Sequence, residues 1–146
     1  MIRVFIGFDQ REAVAFHVAV ASIMRHASEP VAITPLARQN LRLEFRRPRG
    51  PLDSTDFAIS RFLVPHLCGF EGRAIFIDCD MLFRSDIARL WHHVLNSPEL
   101  REAAVCVVKH EYVPRTARKF LDQEQTRYGR KNWSSVIVFN NPRCRD

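Results

Sequence analysis

Two rhythms of apolar and polar positions alternate along this chain. Ile2 to Phe8 is a short apolar run, read as a first strand. Polar residues from Asp9 to Glu12 interrupt it. From about Glu12 to Ala27 the apolar residues Val14, Phe16, Val18, Ala21 and Met24 fall at helical spacings, and Ser28-Glu29-Pro30 ends the segment. Val31 to Leu36 is short and β-branched, a second strand. Strand, helix and strand in this order predict a parallel βαβ unit.

The next stretch, Ala37 to Asp53, has neither rhythm. Its five arginines, two prolines and Gly50 predict an irregular excursion across the surface. Ser54-Thr55-Asp56 reads as the cap of a helix through Phe57, Ile59, Phe62 and Leu63, bent or ended by Pro65 and closed at Cys68-Gly69. Ala74 to Ile77 is a third strand, and Ser85-Asp86 caps a short helix through Ile87, Leu90 and Trp91. Ala103 to Val108 is a further strand ending at Lys109-His110. A polar stretch around Thr116 to Gln125 reads as helical, and Ser135 to Phe139 is the last strand, ending at Asn140. The alternation predicts an α/β, Rossmann-like domain: a mainly parallel sheet flanked by helices, spanning residues 1–146. Ligands then bind at the carboxyl ends of the strands, and Asp9, Asp78, His110 and Asn140 all fall at such ends.

Composition narrows this picture only modestly. With 146 residues, 47% hydrophobic and 26% charged, the chain is of globular type and large enough to bury a core. No apolar run is long enough for a membrane span, and Arg3 precedes too few apolar residues for a leader, so the expected location is cytoplasmic. Cys68, Cys79, Cys106 and Cys144 form no CxxC pair, which predicts free thiols. The net charge of +6 suits an anionic partner. A phosphorylated small molecule and peripheral contact with an anionic membrane both fit it. A basic nucleic-acid-binding domain lacks any supporting motif and stands as the weakest alternative.

The most informative residues stand where the third strand ends. Ala74-Ile75-Phe76-Ile77 runs into Asp78-Cys79-Asp80 before the chain turns apolar again. Residues i and i+2 of an extended chain share a face, so two carboxylates would project together if the strand continued. Such a pair repels, and one member takes up a proton unless a cation lies close by. Mn²⁺ or Mg²⁺ fits, because hard cations take oxygen ligands and keep positions open for substrate phosphates. Simple turn-forming aspartates are the plainer reading of the pair. Haloacid-dehalogenase-type phosphatases also carry Asp-x-Asp after a strand. There the motif lies near the chain start and is usually followed by Thr or Val and then Gly, unlike Met81-Leu82-Phe83.

Ser60-Arg61-Phe62, then Phe76 to Leu82, then Asp86-Ile87 and Leu90-Trp91 together resemble the core of GT-A-fold glycosyltransferases, and family 8 with its bacterial relatives in particular. Val4 to Gln10 is similar to that family's nucleotide-binding first strand, and Trp133 to Asn140 to its later strand. The resemblance implies a sugar transferred from a nucleotide-diphosphate donor, UDP-linked in most relatives, to a saccharide, lipid or protein acceptor, with retention. It implies Asp78 and Asp80 as metal ligands, and Asp9, Gln10, Arg61, Asp78 and Cys79 around the donor. It places His110, Trp133, Ser134 and Ser135 near the sugar or acceptor. No residue emerges as a nucleophile. The family's asparagine and glycine in the later strand align with Trp133 and Ser135. Its third metal ligand, a histidine, lies beyond the equivalent of Asn140, whereas this sequence ends at Asp146. The expectation is therefore the donor-binding N-terminal part of a longer fold, with a nucleotide-sugar-binding module lacking turnover as the alternative.

Overall fold

The computed structural model describes residues 1–50, 53–111 and 132–145. Five strands form one sheet: β1 (Ile2–Phe8), β2 (Val31–Ala37), β3 (Arg73–Ile77), β4 (Val105–Val107) and β5 (Val136–Asn140), in the order β2-β1-β3-β5-β4. β1 pairs in parallel with both β2 and β3. β5 runs antiparallel to both β3 and β4, so four of the five strands point the same way. This is the predicted mainly parallel α/β architecture.

The centre of the sheet follows from the continuous apolar runs. Val4, Ile6, Ile75, Phe76, Ile77 and Ile137 are all at most 1% exposed and form the middle of the core. From β1 the chain crosses to β2 on one side, and later returns to β3 on the other. The carboxyl ends of β1 and β3 therefore flank a topological switch point, the usual place for a ligand crevice in such sheets. Asp9 follows one of these ends and Asp78 the other.

Between β1 and β2 runs α1 (Ala13–His26), close to its predicted span. Of the apolar residues named for it, only Phe16 faces inward. Phe16, Ala19, Ser22 and Ile23 are buried, whereas Val14 is 79% exposed and Val18, Ala21 and Met24 face outward. Apolar residues occupy nearly the whole circumference of this helix, so spacing alone could not choose the face. The helix predicted from Ser54-Thr55-Asp56 also differs. Turns fill residues 55–59, a 3-10 segment covers Ser60–Leu63, and only α2 (Val64–Leu67) is α-helical. Pro65 opens α2 rather than ending the segment, as suits a residue with no amide hydrogen to donate. Asp86 accepts the Ala88 amide at 2.9 Å at the start of α3 (Ala88–Asn96), and α4 (Pro98–Glu102), absent from the sequence reading, leads into β4. All four cysteines are free. The helix read around Thr116 to Gln125 lies outside the described residues.

Gly7 permits one close approach that matters for the site. A Cβ at this position would lie 2.4 Å from the Phe57 ring, well inside contact distance. Phe57 can therefore lie directly on β1, 2% exposed, and present its ring to Arg61.

Candidate donor-binding site

β1 delivers Asp9 as the cap of a 3-10 turn, Gln10–Glu12. Its carboxylate is 1% exposed and fully engaged. It accepts the Arg11 amide at 3.0 Å and Arg11 Nε at 2.9 Å, while its second oxygen takes Arg11 Nη2 and the Asp56 amide at 3.1 Å. The Arg11 side-chain bonds lead in holding this acid down to about 2, against the opposing effect of burial. Asp9 thus anchors the end of β1 to the segment around Asp56. Gln10, beside it, is exposed.

β3 stops at Ile77, so Asp78 and Asp80 do not project from one continuous strand as predicted. Asp78 follows the strand directly, while Cys79 and Asp80 form a turn. The two carboxylates consequently occupy different environments. Asp78 is mostly enclosed, with its amide donating to the Ser135 carbonyl at 2.9 Å. Asp80 is exposed. Burial pushes Asp78 up to about 6 even though Arg61 and the Ser135 hydroxyl favour its ionised form; the charges of Asp80 and Glu12 add to the rise.

Arg61 is the cation of this group. It is 8% exposed, with its guanidinium carbon 5.0 Å from the Phe76 ring centre and 5.5 Å from that of Phe57. Nη1 lies 2.9 Å from Asp78 Oδ1 and donates to the Ser134 carbonyl at 2.7 Å. The contact with Asp78 is close but poorly aligned. Oδ1 remains a buried oxygen with no hydrogen-bond donor, and Arg61 Nε is likewise unpartnered. A buried carboxylate oxygen in this state costs free energy that a bound cation would offset.

Those observations bear on whether a hard cation suits the site. The donor set is all carboxylate, one member has an unsatisfied oxygen, and another opens to solvent, which fits Mn²⁺ or Mg²⁺. Among the described residues no group of three His, Cys, Asp or Glu side chains converges as a complete metal site. An ion here would take further ligands from a substrate or water.

The antiparallel course of β5 corrects one expectation. Asn140 pairs with Arg73 at the start of β3, at the edge opposite Asp78, so it does not join the site. The beginning of β5 does. Trp133–Ser135 forms a 3-10 turn entered through Asn132, whose φ of 63° is a left-handed conformation that asparagine tolerates. Ser134 and Ser135 thereby reach Arg61 and Asp78. Trp133 Nε1 donates to the His110 carbonyl at 3.2 Å, and Lys109 Nζ lies 5.9 Å from the indole centre, which brings the end of the β4 segment to the same edge.

Two further side chains change the assignment. Cys79 is buried and its thiol donates to Glu12 Oε2 at 3.4 Å; burial pushes it above the usual thiol range. A ligand could meet only its backbone. Glu12 was not singled out from the sequence, yet it is half-buried beside the aspartates. Burial raises its proton affinity, and Asp80 and Asp9 raise it further. The legible signal was an acid in the first turn after β1.

Asp9 and Asp78 impose opposite pH dependences on stability. Asp9 is lowered from 3.8, so its contribution is present above that value and lost as pH falls toward 2. Asp78 is raised from 3.8 to about 6, so its contribution is present below 3.8 and lost as pH rises through 6. In metal-free buffer, wild type should therefore lose about 2 kcal/mol relative to Asp78→Asn from about pH 4 to about pH 7. Parallel denaturation midpoints for the two proteins across that window would show that Asp78 does not titrate there.

The mainly parallel five-stranded sheet flanked by helices matches a GT-A-like glycosyltransferase fold. The chain is similar to the bifunctional glycosyltransferase WbbM, with a TM-score of 0.59 at 20% identity over 97% of this chain and 32% of that one. It is similar to the galactosyltransferase LgtC, solved with donor and acceptor sugar analogues, with a TM-score of 0.59 at 12% identity over 99% of this chain and 59% of that one. Mouse xyloside xylosyltransferase 1 gives 0.55 at 14% identity, over 99% of this chain and 69% of that one. In sequence, the chain is 41% identical over 140 residues to Protein CDI of Arabidopsis thaliana, covering 94% of this chain and 52% of that protein. The chain thus spans about half the length of the curated relative it matches. No family model matches it. Among the described residues, no helix is long and apolar enough to cross a membrane.

Proposed function

We propose that this chain binds a nucleotide-diphosphate sugar, with UDP as the nucleotide, and acts in metal-dependent transfer of the sugar to an acceptor with retention. The observation that carries this reading is the enclosed Asp78 at the end of β3, with its unsatisfied oxygen beside Arg61 and the exposed Asp80 two residues on. Asp78 and Asp80 would hold Mn²⁺ or Mg²⁺. When bound, such an ion supplies positive charge to a departing nucleoside diphosphate.

The chain's own groups have separate tasks in this reading. Arg61 keeps Asp78 in place and adds fixed positive charge in a site where little water competes. Asp9 fixes the end of β1, so that Gln10 and the neighbouring backbone can face the nucleotide. Trp133, Ser134 and Ser135, with His110 beside them, border the space left for the sugar and acceptor. The acceptor is a saccharide, lipid or protein hydroxyl. Peripheral membrane contact would suit the basic surface if it is a lipid.

The test is release of UDP from a panel of UDP-sugars, with Mn²⁺ or with EDTA, alongside calorimetry of UDP binding. Metal-dependent UDP release supports the transferase. Metal-dependent binding without release would reduce the reading to a nucleotide-sugar-binding module. No UDP binding with or without Mn²⁺ would overturn it.

A further inference from the structure

The surface excursion after β2 is more ordered in its contacts than its composition suggests. A 3-10 turn, Arg38–Asn40, opens it; the Leu41 amide then donates to Arg38 and the Phe45 amide to Leu41. Leu41 is buried and Phe45 packs against the core, so the segment is fixed from below. Its five arginines then divide into two sets. Arg47 pairs with Asp53 at 2.7 Å and Arg49 with Asp56 at 3.2 Å, folding the segment back on itself. Arg38 donates to the Arg47 carbonyl at 2.7 Å.

Arg42 and Arg46 take part in none of this. Neither meets a carboxylate among the described residues, and with Arg38 they line one cavity of about 490 Å³, together with Gln39, Phe45 and Asp56. The 3-10 turn at Arg38–Asn40 and the Phe45-to-Leu41 bond curl the segment so that the three arginines border one concavity. Among the described residues the only acid in the wall, Asp56, is already paired with Arg49. Three like charges around one concavity repel unless an anion joins them. The concavity is open to solvent, and the guanidinium fork matches phosphate oxygens.

The cavity opens beyond the carboxyl end of β2, at the same sheet edge as Asp78. Two strand spacings, about 10 Å, separate β2 from β3. We infer that this cavity is a second anion site, distinct from the acidic pair, which binds a phosphate group carrying at least two negative charges through Arg42 and Arg46, with Arg38 at its back. Phe45 provides an apolar wall for whatever bears the phosphate. Unlike the acidic pair, this site needs no divalent cation, and it does not depend on the donor reading.

Pyrophosphate titrated calorimetrically in EDTA tests it, because chelation removes any route through a metal at Asp78 and Asp80. Wild type should bind saturably. Arg42→Gln/Arg46→Gln should weaken binding at least about tenfold, in keeping with the loss of charge-assisted hydrogen bonds. Arg89→Gln, an exposed arginine on α3, should bind like wild type. Sedimentation with phosphatidate vesicles, against phosphatidylcholine vesicles, separates the sources. Arginine-dependent capture by phosphatidate alone assigns the site to a lipid headgroup, and pyrophosphate binding without vesicle capture assigns it to a soluble phosphate. Absence of both, or binding unchanged in the double variant with its thermal midpoint intact, would overturn the inference.

Discussion

Asp80→Ala should abolish metal-dependent UDP binding while leaving the fold untouched. Asp80 is exposed and lies outside any strand or helix, so its carboxylate has no packing role to lose. Its removal leaves Asp78 as the sole member of the pair, and Asp78 favours its protonated form below about pH 6. The expected loss is roughly hundredfold in UDP affinity with Mn²⁺, equivalent to ~3 kcal/mol at 1.4 kcal/mol per tenfold. Affinity measured in EDTA should be the same in variant and wild type. Calorimetry decides: an unchanged response to Mn²⁺ in the variant would remove Asp80 from the metal assignment. A thermal midpoint close to wild type confirms that the loss is local.

Arg61→Met should act on both stability and binding. The guanidinium is buried against two aromatic rings, paired with Asp78 and bonded to the Ser134 carbonyl. Removing one partner of a buried pair costs about 3–5 kcal/mol, because the other charge is left uncompensated. Here Asp78 can escape part of that cost by keeping its proton. Arg61 favours the ionised form of Asp78, so the acid's proton affinity should rise further in the variant. Destabilisation should therefore be smaller near pH 5 than near pH 8, a pattern that loss of packing alone would not produce. Chemical denaturation at the two pH values measures it. Equal losses at both would mean that the pair does not carry the effect. Arg61→Lys should not rescue the site, since a lysine lacks the planar fork that reaches Asp78 and Ser134 at once.

Much of the fold was legible because burial dictates composition. β1 and β3 are enclosed on both faces, and the runs Ile2 to Phe8 and Ala74 to Ile77 show it directly. What could not be read depends on relations between distant segments. Asn140 was assigned to the wrong edge because a strand's direction leaves no trace in its own residues; pairing with Arg73 sets it. The buried face of α1 is not legible in its own residues, because the helix is apolar nearly all round and the sheet chooses the face. Among the site residues, Asp78, Asp80, Arg61 and Ser134–Ser135 came from motifs, and the structure brings Arg61, Asp78, Ser134 and Ser135 together. Glu12 was overlooked because its importance lies in the turn that carries Cys79 and Asp80, 67 positions away from Glu12 in the case of Cys79. The arginines after β2 read as one charge run. Only the folded chain shows which of them are spent on Asp53 and Asp56 and which are left for the cavity.

Gly7, Phe57, Arg61 and Asp78 form a column in which each member rests on the one before. The absent side chain of the first makes room for the ring of the second. That ring supports the guanidinium of the third, which faces the carboxylate of the fourth. A residue that touches no ligand therefore has a say in how tightly the acid holds its proton. In evolutionary terms the column should vary as a unit. A lineage that enlarges position 7 must shrink or remove the ring at position 57. It must then find another support for Arg61, or give up the charged pair altogether.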